Sequence, residues 1–231
     1  IKQKVIKIKN KYAMFYINKE FELGIGQVWY KKVNIIDQDL LLNYLRSLPY
    51  ESGDYEGRVI SREQRWYHHN GSYFNPKWKF FKRWESYAYD ETLHYIESRV
   101  ERISNQILTP NIEYETYTKL NHKWTSNSIL INKYHSGDNI IPRHRDSEVI
   151  FGDNPTIAVY SIGAPRIMRF TRVLPNNNKT IKNEAQIDIK LESGSLLIMS
   201  GVIQKYYTHE ILRDVSIIDD RFSLTFRNHV L

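Results

Sequence analysis

The spacing of apolar residues changes character partway along the chain. Between Asp37 and Leu48 they recur at helical intervals, with Leu40, Leu41, Tyr44, Leu45 and Leu48 on one face. Asp37 or Asp39 is placed to cap this helix, and Pro49 ends it. Leu93, Ile96, Val100, Ile103 and Ile107 predict a second helix, capped near Asp90 and stopped before Pro110. Both read as scaffold helices packed on a sheet. Upstream, Phe15 to Ile17 and Val28 to Tyr30 read as short strands. Lys2, Lys4, Lys7, Lys9 and Lys11 interleave with Ile and Val as a solvated strand face.

From Ser128 onward the pattern is all-β. Short runs alternate with turns: Ser128 to Tyr134, Thr156 to Ile162, Arg166 to Arg172, Gln186 to Leu191, Ser195 to Ser200 and Arg221 to His229. Evenly spaced short strands predict a jelly roll or sandwich, so the fold class is α+β, mainly β. Between the two helices lies an irregular stretch rich in aromatics and cations. It holds Arg62, Trp66, Tyr67 and Tyr73, then Lys77, Trp78, Lys79, Lys82, Arg83 and Trp84. Rings interleaved with cations suit stacked bases and phosphates. The same residues also serve as core rings and solvated charges.

Composition narrows the chemistry. The chain has 231 residues and no cysteine, so any metal must be held by His and carboxylate, which suits iron or manganese. No apolar run approaches the roughly 20 residues of a membrane span. No signal peptide is visible, and an intracellular, monomeric protein without membrane contact is expected. The net charge of +7 favours polyanionic partners, nucleic acid first. Abundant Ile, Lys, Asn and Tyr fit an AT-rich genome, which inflates Lys and discounts that charge.

The candidate chemistry centres on His144-Arg145-Asp146. An imidazole and a carboxylate two residues apart share one side of an extended segment. With one more His they complete a two-His-one-carboxylate facial triad for Fe(II). By itself the tripeptide fits a surface loop with a salt bridge better than a metal site. Downstream, His209 and His229 are the candidate third ligands; His209 is preferred because His229 lies two residues from the chain end. Strand Arg221 to Arg227 puts Arg221, Ser223, Thr225 and Arg227 on one face. Two inward arginines need anions, and a bidentate Arg–carboxylate pair suits a dicarboxylate cosubstrate. Asn132 and Tyr134, on one side of their own strand, are placed to supply neutral donors to the same ligand.

These segments together resemble the AlkB-like Fe(II)/2-oxoglutarate-dependent dioxygenases, which repair alkylated nucleobases. The matching pieces are Asn132-x-Tyr134, His144 to Glu148, Asn154 to Ala158, Ser161-x-Gly163-Ala164-x-Arg166, Gly194 to Met199, Thr208-His209 and Arg221-x-x-Leu224-Thr225-x-Arg227. Arg62 to Tyr67 is similar to an element preceding the family's nucleotide-recognition lid. The resemblance implies a double-stranded β-helix core at about 128–231, with N-terminal strands, two helices and a lid at about 1–127, in one catalytic domain. It implies Fe(II) on His144, Asp146 and His209. It places 2-oxoglutarate on Arg221, Asn132 and Tyr134, with Arg227 near its chelating end and O2 as second cosubstrate. Glu148 would read the flipped base, held between His144 and one of Trp66, Tyr67 or Tyr73. The implied reaction is oxidative demethylation of 1-methyladenine- or 3-methylcytosine-type bases in single- or double-stranded DNA or RNA, with formaldehyde released. Departures fall in the lid: His68 stands where the family has Gly, and Ser61 where it has Pro. An acidic stretch, Asp214 to Asp220, is inserted before the last strand. Alternatives are a hydroxylase or demethylase of another target, RNA or protein, and a non-catalytic nucleic-acid-binding jelly roll.

Overall fold

Seven antiparallel strands, numbered in chain order, form the larger sheet. Across it lie β1 (Met14–Phe21), β2 (Gly24–Lys32), β11 (Ser195–Gly201), β8 (Ile157–Gly163), β13 (Arg221–Arg227), β6 (Ser128–Tyr134) and β5 (Glu63–His68). A four-stranded antiparallel sheet faces it, in the order β10 (Ile187–Leu191), β9 (Arg166–Arg172), β12 (Tyr207–Ile211) and β7 (Ile141–His144). A two-residue pair, β3 (Asp54–Tyr55) with β4 (Arg58–Val59), stands apart. This computed structural model describes residues 14–55, 58–73, 85–108, 123–175, 179–181, 184 and 186–230. The N-terminal Lys cluster and Lys77, Lys79, Lys82 and Arg83 lie outside the described residues.

The larger sheet is covered on both faces. Its outer face carries Trp29, Ile129, Ile131, Ala158, Tyr160, Ile162, Leu196, Ile198, Phe222, Leu224 and Phe226. Two helices bury their apolar stripes there, α1 (Gln38–Ser47) with Leu41 and Leu45, and α2 (Glu91–Leu108) with Leu93, Ile96, Val100 and Ile107. Fully buried side chains of this size contribute roughly 1.5–3 kcal/mol each. The inner face meets the smaller sheet through Val28, Ile157, Val159, Leu197 and Met199 against Met168, Phe170, Ile189, Leu191 and Ile211. Strands buried on both faces read as unbroken apolar runs.

Asp37 caps α1, its carboxylate accepting from the Asp39 and Leu40 N–H groups at 3.0 Å each. Asp90 does the same for α2, accepting from Leu93 N–H at 2.9 Å. Leu40, expected on the packed face, is instead exposed. The stretch read as irregular contains β5, which pairs with β6 from Glu63↔Lys133 to His68↔Ser128. Strands β7 and β12 likewise lie in segments where no strand was expected. All three line the cavity with polar side chains such as Gln64, His144 and His209, which break the apolar alternation that marks a strand. Among the described residues no helix is long and apolar enough to cross a membrane.

Candidate active site

Strands β7 and β12 pair so that His209 stands directly opposite His144. Their rings lie 4.3 Å apart between centroids. Asp146 follows two residues later, in the link to α3 (Glu148–Phe151). Gln204, in α4 (Ile203–Tyr206), fixes this link by accepting from the Asp146 backbone N–H at 3.0 Å. Arg145 anchors the other side, donating to the Lys205 carbonyl at 3.0 Å. The ligand atoms of His144, Asp146 and His209 all lie within 4.8 Å of one another.

The donor set fits a divalent cation. Asp146 Oδ1 accepts from Arg227 Nη2 at 2.7 Å, which fixes the carboxylate. Its Oδ2 is buried without a hydrogen-bond partner and sits 3.5 Å from His209 Nε2. Adjacent ligands on one ion with bonds of about 2.1 Å stand roughly 3 Å apart. His144 Nδ1 lies 2.9 Å from the Pro142 carbonyl, so Nδ1–H donates there and Nε2 keeps its lone pair for the metal. Two imidazoles and one carboxylate on one face are the donor pattern of non-haem Fe(II).

Electrostatics hold these groups in their metal-binding forms. Burial, then His209, lowers the His144 pKa to about 3, so the ring is neutral at physiological pH. Burial alone would raise Asp146; Arg227 and His209 outweigh it and keep the carboxyl well below the usual range. Away from the triad, burial first and Arg227 second lower His229 to about 3, and burial lowers His68 to about 4. Unfolding returns each to the ordinary value of 6.5. Between about pH 6.5 and 4 the unfolded chain therefore binds more protons than the folded one, and stability falls as pH falls. Each such histidine steepens the loss by up to about 1.4 kcal/mol per pH unit. Urea midpoints of the metal-free protein should drop across this window, and His229→Gln should shallow the slope. A flat profile would show that these rings titrate alike in both states.

The inward face of β13 forms the adjoining subsite. Arg221 is 1% exposed. Its Nη2 donates to Ser161 Oγ at 2.9 Å, while Nε and Nη1 have no partner. The Tyr134 hydroxyl is also buried without a partner, and the Arg221 guanidinium lies 4.8 Å from the Tyr134 ring centre. Nearby Arg166 differs, since its guanidinium donates to the carbonyls of Ser136, Gly137, Asn139 and Leu212. Arg221 is thus a buried cation with donors to spare, a cradle for a carboxylate. Asn132 Oδ1 accepts from Arg62 Nε at 2.8 Å and Gln64 Nε2 at 3.0 Å. Its amide nitrogen therefore faces Ser223, 3.5 Å away, and the cavity.

One cavity of about 730 Å³ joins the triad to Arg221, Arg227, Asn132 and Tyr134. Trp66 and Arg62 line it as well. Other expected contacts lie elsewhere. Tyr67 follows Trp66 on β5, so strand alternation turns it into the helix-side core. Tyr73 backs the wall, stacking on His68 at 4.3 Å and meeting Trp66 edge-on. Glu148 is not among the lining residues; at the start of α3 it accepts from Asn154 N–H at 3.0 Å and faces Lys205 Nζ at 3.6 Å.

His229 is the main addition. It is 6% exposed, and its backbone exchanges two hydrogen bonds with the Asn127 side chain. Its ring stacks on Trp66 at 5.1 Å and 18°. Proximity to the chain end had argued against it, whereas Asn127 ties it down. Phe151, 5.0 Å from His229, and the buried Gln204 carried no motif and were also missed.

Known proteins match this picture. "Alpha-ketoglutarate-dependent dioxygenase alkB homolog 3" of Bos taurus is 32% identical over 102 residues, 44% of this chain and 36% of that protein. "DNA oxidative demethylase ALKBH2" of Arabidopsis thaliana is 28% identical over 116 residues, 44% of this chain and 37% of that protein. The matches thus span little more than a third of these relatives' length. "The structure of OsALKBH1" superposes with a TM-score of 0.61 at 16% identity, covering 92% of this chain and all of that one, a likeness of fold. Residues 30–227 match the 2OG-Fe(II) oxygenase superfamily, and the chain belongs to that superfamily.

Proposed function

We propose that this oxygenase oxidatively demethylates N-alkylated nucleobases, of the 1-methyladenine and 3-methylcytosine type, in DNA or RNA. It consumes 2-oxoglutarate and O2 and releases succinate, carbon dioxide and formaldehyde. The observation that carries this reading is an aromatic wall running from the triad. Arg227, paired with Asp146, lies 5.1 Å from the Phe151 ring centre. Phe151 meets His229, and His229 stacks on Trp66. Flat rings beside a metal suit a base taken out of its stack. The Arabidopsis thaliana relative carries the name of a DNA oxidative demethylase, which supports the same chemistry.

Bound Fe(II), with 2-oxoglutarate and O2, supplies the oxidation of an N-methyl C–H bond. The protein supplies the geometry. His144, Asp146 and His209 would hold the ion. Arg221 anchors the distal carboxylate of 2-oxoglutarate, aided by the Tyr134 hydroxyl and the Asn132 amide. Arg227 keeps Asp146 anionic and its carboxylate aimed. The hydroxylated methyl group is a hemiaminal, which collapses to formaldehyde and the unmodified base without a protein nucleophile. Glu148, tied to Lys205 and Asn154, is outside this scheme.

The test is formaldehyde and succinate release from single-stranded 1-methyladenine oligonucleotides, DNA and RNA in parallel, with Trp66→Ala and Trp66→Phe. One formaldehyde per succinate is expected from the wild type. Stacking is worth about 1–3 kcal/mol per base, so Trp66→Ala should lower kcat/KM for the oligonucleotide about 5- to 150-fold. Trp66→Phe should recover most of it, and the KM for 2-oxoglutarate should not move. Succinate without formaldehyde on either polymer would move the target to another class, such as protein.

A further inference from the structure

We propose a second metal site, built from His69, His94 and Glu97 and suited to a divalent ion of the Zn2+ class. It lies on the opposite face of the larger sheet from the triad's cavity. His94 and Glu97 stand three residues apart on α2, so they share one face of the helix. His69 follows the end of β5, and its backbone N–H donates to the Asn127 carbonyl at 2.9 Å. The ligand atoms of the three residues all lie within 4.8 Å of one another.

Glu97 points to the need for a cation. Its side chain is 6% exposed. Oε1 accepts from the Tyr89 hydroxyl at 2.9 Å and the Ser126 hydroxyl at 2.8 Å. Oε2 meets His69 Nε2 at 2.7 Å. Among the described residues no lysine or arginine pairs with this carboxylate, although a buried charge is costly without a counter-ion. Glu101, one helical turn on, adds a second carboxylate, accepting from the Ser126 N–H at 2.7 Å. The hydroxyl donors fix the Glu97 carboxylate as outer partners fix a metal ligand.

The imidazoles are accessible from solvent. His69 and His94 are both exposed, with ring centroids 5.7 Å apart and each 4.9 Å from Tyr89. A tetrahedral ion with bonds of about 2.1 Å needs donors roughly 3.4 Å apart, within reach of side-chain rotation for two surface histidines. Two His and one Glu leave a fourth position for water. The chain has no cysteine, so His and carboxylate are the donors it offers such an ion. The ion would clip the loop after β5 to α2, three residues from Trp66.

The test titrates the 231-residue chain with Co2+ and Zn2+ against a competing chelator. The wild type, Asp146→Ala, His94→Ala and His69→Ala are compared. Two ions per wild-type chain are expected, with tetrahedral Co2+ absorption from one of them. Asp146→Ala should keep the tetrahedral signal and lose the other ion. His94→Ala and His69→Ala should each lose the tetrahedral signal, weaken that site at least 10-fold and keep the triad ion. Zn2+ should raise the Tm of Asp146→Ala but not of Asp146→Ala/His94→Ala. Circular dichroism establishes that the exposed-residue variants are folded. A tetrahedral signal and stoichiometry unchanged by His94→Ala and His69→Ala would overturn the proposal, as would one ion per wild-type chain. Demethylase activity enters neither outcome.

Discussion

Arg221→Met should raise the KM for 2-oxoglutarate at least about 100-fold while making the metal-free protein more stable. The two effects have opposite signs for one reason. Arg221 is 1% exposed, and two of its three guanidinium nitrogens lack partners. Burial pulls its pKa down, the mark of a cation held where water cannot solvate it. In the metal-free protein that charge is a cost, offset only by Ser161 and the Tyr134 ring. Replacing a buried charge by an apolar side chain of similar length is often stabilising by about 1–4 kcal/mol. With 2-oxoglutarate bound as proposed, the same nitrogens would meet a carboxylate, and charge-assisted hydrogen bonds contribute about 1.5–3 kcal/mol each. Two such bonds amount to roughly 3–6 kcal/mol, hence the factor of 100 or more. Urea midpoints with and without 2-oxoglutarate read both signs. The ligand should stabilise the wild type and leave Arg221→Met unmoved. A variant that binds 2-oxoglutarate normally would place the anchor elsewhere in the cavity.

The same β13 shows why much of the core was legible from sequence. Its alternation is clean, with Phe222, Leu224 and Phe226 toward the helices and Arg221, Ser223, Thr225 and Arg227 toward the cavity. Strand β9 was bounded at Arg166 because Gly163-Ala164-Pro165 directly precedes it. The triad was legible because its spacing is geometric: His144 and Asp146 share a side, and His209 sits across the ladder from His144. The cavity wall was not legible. Along β5 the inward residues are Gln64 and Trp66, and their partners across the space come from Phe151 and His229, far away in sequence. No local period marks such a wall. Glu148 shows the converse failure: two residues beyond a ligand on an extended chain it would share the ligand's side, but α3 begins there and turns the carboxylate toward Lys205.

Asp146→Asn should abolish iron binding and lower turnover at least about 1000-fold, and it should also cost stability. Asn preserves the volume and leaves the Gln204 bond to the backbone N–H intact. What it removes is one negative charge that Arg227 meets on Oδ1 and that a metal held by the triad would share. Removing one partner of a buried ion pair costs about 3–5 kcal/mol, because Arg227 stays behind with its Nε already unpartnered. The folded pKa of Asp146 lies below its ordinary value of 3.8, so its contribution is fully present at neutral pH and lost only on strong acidification. The stability lost at pH 7 in the variant is therefore the full amount. Asp146→Asn/Arg227→Met separates the two roles: it should regain most of the stability and none of the iron. Gln204→Leu should do neither, since it frees only the backbone N–H; a loss of about 10- to 100-fold in iron affinity with turnover recovered at excess Fe(II) is expected. Calorimetric Fe(II) titration under anaerobic conditions, paired with urea unfolding, distinguishes the three variants. Normal iron binding by Asp146→Asn would mean that the carboxylate serves Arg227 alone and that the third ligand comes from elsewhere.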